Sequence, residues 1–164
     1  MADLAAIPTL ITGRTFEEMV PGTVFKTASR TITEADLVAF VTLCGFNEPL
    51  FFDAGHAASA GYPGRLVPGA LIYCIAEGLT LQSGVLTGTG IAFLSMALDV
   101  KRPTFVGDTL TAVVEITASR PTSRGDRGIV ESTITVYNQR AEEVLIFTPV
   151  RMIRGRDYPA SSAP

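Results

Sequence analysis

The sequence is poor in the side chains that build metal and redox sites. It has two cysteines, one histidine and no tryptophan among 164 residues. Cys44 and Cys74 form no C-x-x-C pair, and His56 is the only imidazole that could join them as a ligand. Zinc sites need several such ligands and disulfide frameworks need paired cysteines. The sequence therefore predicts no metal, cofactor or disulfide, and we interpret both cysteines as buried free thiols.

Charge is scarce as well. Charged residues make up 18% of the chain and the net charge is −3, so neither nucleic acid nor an anionic membrane is expected as a partner. No apolar run reaches membrane-spanning length and the first residues lack a basic leader, which predicts a soluble, cytoplasmic protein. The length suits one domain, placed at 15–154 between an N-terminal extension (1–14) and a tail (155–164) that we expect to be disordered.

The sequence is rich in apolar, helix-forming residues in the segment LVPGALIYCIAEGLTLQSG (66–84). Its residues leave almost no polar side, which predicts a helix over about 69–82 that is buried all round. Glu77 is the one charge in its middle. Because Gly69 opens the helix after Pro68, its backbone N–H is free and no Cβ blocks a ligand. We expect this helix start to hold a polarised carbonyl.

The other helices are predicted from their capping residues, and the strands from alternating apolar and polar residues. Capping boxes at Thr15 and Thr33 predict a short helical turn and a helix through Cys44, and Asp53 can cap a small helix over 54–60. Alternating segments predict one strand at 23–31 and four long strands at 91–101, 109–120, 128–138 and 143–154. One strand, helices and then four strands indicate an α+β fold in which an antiparallel sheet covers one long helix.

One loop has an unusual composition. It reads FNEPLFFD (46–53) and combines three phenylalanines with Asn47, Glu48 and a proline. Such a segment usually lies over a core or lines a pocket.

The segments TFEEMVPGTVF, TITEADLVAFVTLCG, EPLFFD, RLVPGAL, RPTFVGDTL and NQRAEEVL occur in this order from Thr15 onward. Together they resemble the MaoC-like hydratase and dehydratase family. The resemblance implies a hot-dog fold, in which a curved antiparallel sheet wraps a central helix, and homodimers with acyl-thioester sites near the subunit interface. It also implies reversible hydration of a trans-2-enoyl thioester, carried on coenzyme A or on an acyl carrier protein.

The family motif G-D-x-N-P-x-H-x-D supplies an Asp and a His for proton transfer, and the glycine that starts the helix supplies a backbone donor. Aligning the motif on Pro49 places Phe46 at the Asp position and Phe51 at the His position, while Glu48 replaces the Asn. A phenyl ring cannot exchange a proton, so the resemblance implies a drier, atypical site. Phe46, Phe51, Pro68 and Gly69 are the expected substrate-binding residues.

Proton transfer then has to come from other residues. Glu77 lies eight residues after Gly69, where hydratases of this family often carry a Ser directed at the catalytic carboxylate, and it is the first catalytic candidate. A structural alternative is that Glu77 meets an arginine or water near the sheet edge. Asn47 and Glu48 are the next candidates, with solvated loop residues as the alternative. His56 matches no catalytic position of the family.

Three functions remain open from the sequence. The first is a MaoC-like enzyme of the enoyl-thioester hydratase or 3-hydroxyacyl-thioester dehydratase type. The second is a non-catalytic hot-dog subunit that binds acyl groups or completes the site of an active partner, and the third is a thioesterase. Arg120, Arg124 and Arg127 could contact the phosphates of coenzyme A or form a solvated loop.

Overall fold

The computed structural model describes residues 11–159, and its main element is an antiparallel sheet of five strands. The strands are β1 (Val24–Thr31), β2 (Gly90–Val100), β3 (Thr109–Pro121), β4 (Arg127–Tyr137) and β5 (Glu143–Arg154). Their order in the sheet is β1-β3-β4-β5-β2, so β1 and β2 are the edges. The predicted strands are confirmed to within a residue or two at each end.

Four helices precede most of the sheet. They are α1 (Glu34–Cys44), α2 (Pro49–Phe52), α3 (Ala54–Ser59) and α4 (Gly69–Gln82), and a 3₁₀ turn lies at Phe16–Glu18. Both predicted capping boxes form, and the Asp53 carboxylate accepts from the N–H groups of Gly55 and His56. Gly45 ends α1 at φ 66°, a conformation that favours glycine. Sequence reasoning missed α2, which occupies the middle of the FNEPLFFD loop.

The core lies between α4 and one face of the sheet. Leu71, Ile72, Ile75, Ala76 and Leu79 of α4 are buried against strand residues such as Phe147, which is fully enclosed. The Tyr73 and Phe147 rings meet edge to face at 5.1 Å between centroids. The sheet therefore wraps the helix as expected, and the fold is an α+β hot-dog.

The prediction that α4 is buried all round is wrong. Cys74 and Leu81 are exposed, Leu81 by 51%, and Tyr73 and Glu77 are half-buried. Cys44 is exposed too, so the prediction of two buried thiols is also wrong. One side of α4 is therefore apolar in sequence although residues 11–159 do not enclose it.

Strand β2 is uncovered along most of its length. Its large apolar side chains are between 39% and 55% exposed, and they are Phe93, Leu94, Met96 and Val100. Helix α4 packs mainly over β1, β3 and β5 and makes fewer contacts with β2. An edge strand with free backbone groups and exposed apolar side chains is typical of a surface that another chain covers.

Both ends of the described range contact other segments of the domain. Gly13 and Arg14 donate to the carbonyls of Thr87 and Val85, and the Tyr158 ring packs against the guanidinium groups of Arg127 and Arg154. Tyr158 belongs to the segment that was expected to be a tail. Residues 1–10 and 160–164 lie outside the described residues, and the domain boundaries stay a prediction. No helix within 11–159 combines the length and apolar composition needed to cross a bilayer.

Candidate active site at the start of helix α4

Helix α4 begins beside the segment that follows β2. The Val67 N–H donates to the Thr104 carbonyl at 2.8 Å, and Leu66 and Phe105 form a single β-bridge. The buried Asp108 carboxylate holds this segment by accepting from the Phe105 N–H at 2.9 Å and from the Gln139 side chain. These contacts fix the first turn of α4 against residues 100–104.

A cavity of about 330 Å³ lies at this helix start. Apolar side chains form most of its wall, with Lys101 and Arg102 at one side. The lining residues are Phe51, Tyr62, Leu66, Val67, Pro68, Gly69, Ile72, Val100, Lys101, Arg102, Pro103 and Thr104. Among the described residues, no carboxylate and no imidazole lines it.

The backbone of the first turn offers hydrogen-bond donors to this cavity. The N–H groups of Leu71 and Ile72 donate to the Pro68 carbonyl, whereas those of Gly69 and Ala70 have no acceptor within residues 11–159. Such donors, together with the positive end of the helix dipole, suit an oxygen that carries partial negative charge. The space is tight, because a Cβ on Gly69 would lie 2.7 Å from Val100 Cγ2. The expected substrate-binding pair Pro68 and Gly69 therefore both line a cavity.

The phenylalanines of the loop form an aromatic cluster at the cavity. Phe46 meets Phe40 at 5.3 Å and Phe51 at 6.1 Å between ring centroids. Phe51 is half-buried and lines the cavity, whereas Phe46 is 36% exposed. The loop backbone is fixed by Leu66, whose N–H donates to the Leu50 carbonyl at 3.0 Å. Phe51 is thus placed as expected, and Phe46 lies behind it.

The three predicted catalytic residues do not line this cavity. Asn47 and Glu48 are exposed beside Phe46, and neither side chain has a hydrogen-bonding partner among the described residues. Glu77 lies about 12 Å further along the helix axis from Gly69. Their catalytic roles stay predictions. His56 is exposed on α3, away from the cavity.

Glu77 takes part in an ion pair over β5. Its carboxylate accepts from Arg151 Nη2 at 2.5 Å, with side chains 16% and 8% exposed. The guanidinium also lies 5.3 Å from the Phe93 ring centroid and 3.5 Å from Ser132 Oγ. Burial and the nearby Glu77 carboxylate raise the pKa of Tyr73, and burial together with Cys44 and Glu77 raises that of Cys74. The ion pair opens on one side to a groove of about 300 Å³ along β2.

Sequence reasoning missed Arg151 and the cavity wall after β2. Arg151 could have been identified from the sequence, since it lies on the same, core-facing side of β5 as Leu145, Phe147 and Ile153. A lone charge at a core position needs a partner, and Glu77 is the lone charge of α4. The possible phosphate contacts Arg120, Arg124 and Arg127 lie at the opposite end of the sheet from Gly69.

The chain is thus a hot-dog domain with a donor-bearing helix start in an apolar cavity. Residues 19–147 match the family described as FAS1-like, dehydratase domain region. The (R)-specific enoyl-CoA hydratase of Aeromonas caviae is 34% identical over 111 residues, which are 68% of this chain and 78% of that protein. A mitochondrial 3-hydroxyacyl-acyl-carrier-protein dehydratase of Solanum lycopersicum is 31% identical over 60% of this chain and 57% of its own length.

Solved structures agree with this similarity. The MaoC-like dehydratase from Rhodospirillum rubrum is 27% identical with a TM-score of 0.79, over 90% of this chain and 100% of that one. The chain therefore belongs to the MaoC-like hydratase and dehydratase family.

We predict that removing one member of the Glu77–Arg151 pair destabilises the fold far more than removing both. Glu77→Ala leaves a buried guanidinium unpaired, so we expect the free energy of unfolding to fall by about 3 kcal/mol. The combination Glu77→Leu with Arg151→Met should recover most of that loss. Urea unfolding measures both, with the exposed Glu48→Ala as control. Glu77→Leu alone and Arg151→Met alone complete the cycle, and strictly additive losses in these two single variants and the double variant would contradict the pairing.

Proposed function

We propose that this chain binds an acyl thioester in the Gly69 cavity and acts as a hydratase or dehydratase of the MaoC-like type with an atypical site. The observation that carries the proposal is the free N–H group of Gly69, which lines a largely apolar cavity, with the free N–H group of Ala70 next to it in the same turn. Adding water to an enoyl thioester develops negative charge on the thioester oxygen, and such donors stabilise that charge. The relatives support the substrate class, since their names include an enoyl-CoA hydratase and an acyl-carrier-protein dehydratase.

The site is atypical because Phe46 and Phe51 stand, by our alignment of the loop, where the family has its proton-transferring pair. Phe51 excludes water from one wall of the cavity, and Phe46 supports Phe51 from behind. Hydration needs a base for water and an acid for the α-carbon. No carboxylate or imidazole of residues 11–159 lines the cavity, so an acid–base group within this wall would have to be Lys101 or Tyr62.

A second candidate function is a non-catalytic acyl-binding subunit that completes the site of an active partner. The cavity lining favours it, because a mostly apolar wall without a carboxylate or an imidazole suits binding better than chemistry. A thioesterase has no supporting observation in the cavity.

We further propose that the protein is a homodimer joined through β2. Two copies related by a two-fold axis can pair their β2 edges only in antiparallel register, which satisfies the free backbone groups of both edges. The same association would cover Phe93, Leu94 and Met96, and it would let Cys74 and Leu81 of α4 face the second copy.

The Gly69 N–H can be removed without changing the helix otherwise. Proline is tolerated at the first helical position, and Pro68 already has the extended ψ of 138° that a following proline requires. In a Val100→Ala background that makes room for a Cβ, we expect Gly69→Pro to lower kcat/KM for short enoyl thioesters about 100-fold. Gly69→Ala in that background keeps the N–H and should stay within a few-fold. Equal losses in both variants would rule out the donor role.

Restoring the family pair separates the two candidate functions. Phe46→Asp with Phe51→His places proton carriers beside the cavity, and each single substitution serves as a control. If the chain only binds acyl groups, the wild type should be inactive as a homodimer and the double variant should gain hydration of crotonyl-coenzyme A. If the chain is an enzyme, the wild type should turn over, and a wild-type rate at or above that of the double variant excludes the binding function.

A substitution in the edge strand β2 tests the proposed dimer. Leu94→Lys places a charge in the proposed interface and should raise the dimer dissociation constant at least about 10-fold, which is about 1.4 kcal/mol. Val20→Lys replaces an equally exposed apolar side chain far from β2 and should leave dimerisation unchanged. Sedimentation velocity reports the mass against 17.4 kDa for one chain. A wild type that stays monomeric at high micromolar concentration would refute the dimer.

A further inference from the structure

One buried hydroxyl in the wall of the Gly69 cavity lacks a hydrogen-bonding partner. Thr104 is 1% exposed, and no group within residues 11–159 pairs with its Oγ1 atom. Thr89 Oγ1 and Arg154 Nε in this part of the chain are also buried without a partner, but neither residue lines the cavity. Thr104 does line it. The unpaired hydroxyl therefore coincides with the proposed substrate site.

Thr104 belongs to the inner side of the cavity wall. It faces Val67 beside the Leu66–Phe105 bridge, and the Val67 N–H donates to the Thr104 carbonyl at 2.8 Å. Val67 is buried as well, whereas Leu66 and Phe105 are half-buried, because successive residues of an extended segment point to opposite sides. Gly69 follows Val67 by two residues, which span at most about 7 Å. Thr104 and the Gly69 donor therefore lie at the same end of the cavity.

An unpaired buried hydroxyl destabilises a fold. The hydrogen bonds that it loses to water are not replaced, whereas a valine would fill the same space without that loss. Two other buried threonines show the usual arrangement, since Thr80 Oγ1 donates to the Ala76 carbonyl at 3.0 Å and Thr27 Oγ1 bonds to two backbone groups. Buried polar atoms without a partner are uncommon in native proteins, so the one at Thr104 calls for an explanation.

The other polar side chains of the cavity are open to solvent. Lys101 and Arg102 are exposed and have hydrogen-bonding partners in the chain, and Tyr62 is half-buried. Among the lining residues, Thr104 is the buried one with a polar side chain. A ligand in the cavity is therefore the group that can pair with its hydroxyl.

We infer that Thr104 is a specificity residue of this cavity, whose hydroxyl selects acyl groups that carry a hydroxyl on carbon 3. The inference rests on the proposed function and adds a residue that distinguishes the hydrated acyl group from the enoyl group. When the thioester oxygen is held at Gly69, a single carbon atom separates the thioester carbon from carbon 3, so a hydroxyl there can reach the inner wall. Rotation about χ1 exchanges Thr104 Oγ1 with the methyl group of the same residue and turns the hydroxyl toward the ligand. An acyl group without this hydroxyl leaves Thr104 unpaired.

Two substitutions at position 104 test the selection. Thr104→Val removes the hydroxyl and keeps the shape of the side chain, and Thr104→Ser keeps the hydroxyl. Calorimetry compares the amide analogues of butyryl- and 3-hydroxybutyryl-coenzyme A, in which nitrogen replaces the thioester sulfur so that neither reacts. We expect the wild type and Thr104→Ser to bind the hydroxylated analogue about 5-fold more tightly than the other, and Thr104→Val to bind both equally.

Lys101→Met is the control for the other hydrogen-bonding groups of the lining, and it should keep the preference for the hydroxylated analogue. A preference that survives in Thr104→Val, or that disappears in Lys101→Met, overturns the inference.

Stability without ligand is an independent test. Because Thr104→Val removes an unpaired buried polar atom, the urea midpoint of the ligand-free protein should stay the same or rise. Thr27→Val is the matched control, since it deprives the Ala112 N–H of an acceptor and should lower the midpoint. A lower midpoint in Thr104→Val would show that the hydroxyl is already paired in the free protein, to a buried water for example, and would overturn the inference.

These measurements separate failure of the inference from failure of the proposed function. If the wild type binds both analogues equally, and Gly69→Pro in the Val100→Ala background weakens both, the thioester site stands and Thr104 has no part in selection. If neither analogue binds to the wild type, the proposed function and the inference are both wrong.

Discussion

The packing of one helix on five strands determines most of this structure. Helix α4 packs mainly over β1, β3 and β5, and the edge strand β2 lies beyond it. The unusual features of the surface follow from this incomplete covering of the sheet. The apolar residues of β2, Leu81 and the open side of the Glu77–Arg151 pair all lie along the uncovered border. No segment of residues 11–159 covers that border, and this is the basis of the dimer proposed above.

Much of the fold could be predicted from the sequence because its signals are local. The capping boxes at Thr15 and Thr33, the cap at Asp53 and the glycine at the end of α1 are interactions between residues a few positions apart. The strands of the sheet alternate, so their positions are readable as well. Resemblance to the family then gave the topology, which local patterns do not contain.

The burial of α4 was mispredicted for a physical reason. An apolar pattern in a sequence indicates that a surface is covered, but it does not indicate which chain covers it. Cys74 and Leu81 are apolar although they are exposed in this chain. The same sequence pattern would arise on a helix that is enclosed by its own fold. The wall of the cavity after β2 escaped prediction for a similar reason. Its residues are brought to Gly69 by the bridge between Leu66 and Phe105, which joins positions far apart in the chain.

Burial energetics explain why the donors and the carboxylate are separated. A carboxylate placed among the apolar residues of the Gly69 cavity would lose part of its hydration, which disfavours its ionised form. Beside Arg151 the Glu77 carboxylate is tolerated, since the ion pair and a hydrogen bond replace its hydration.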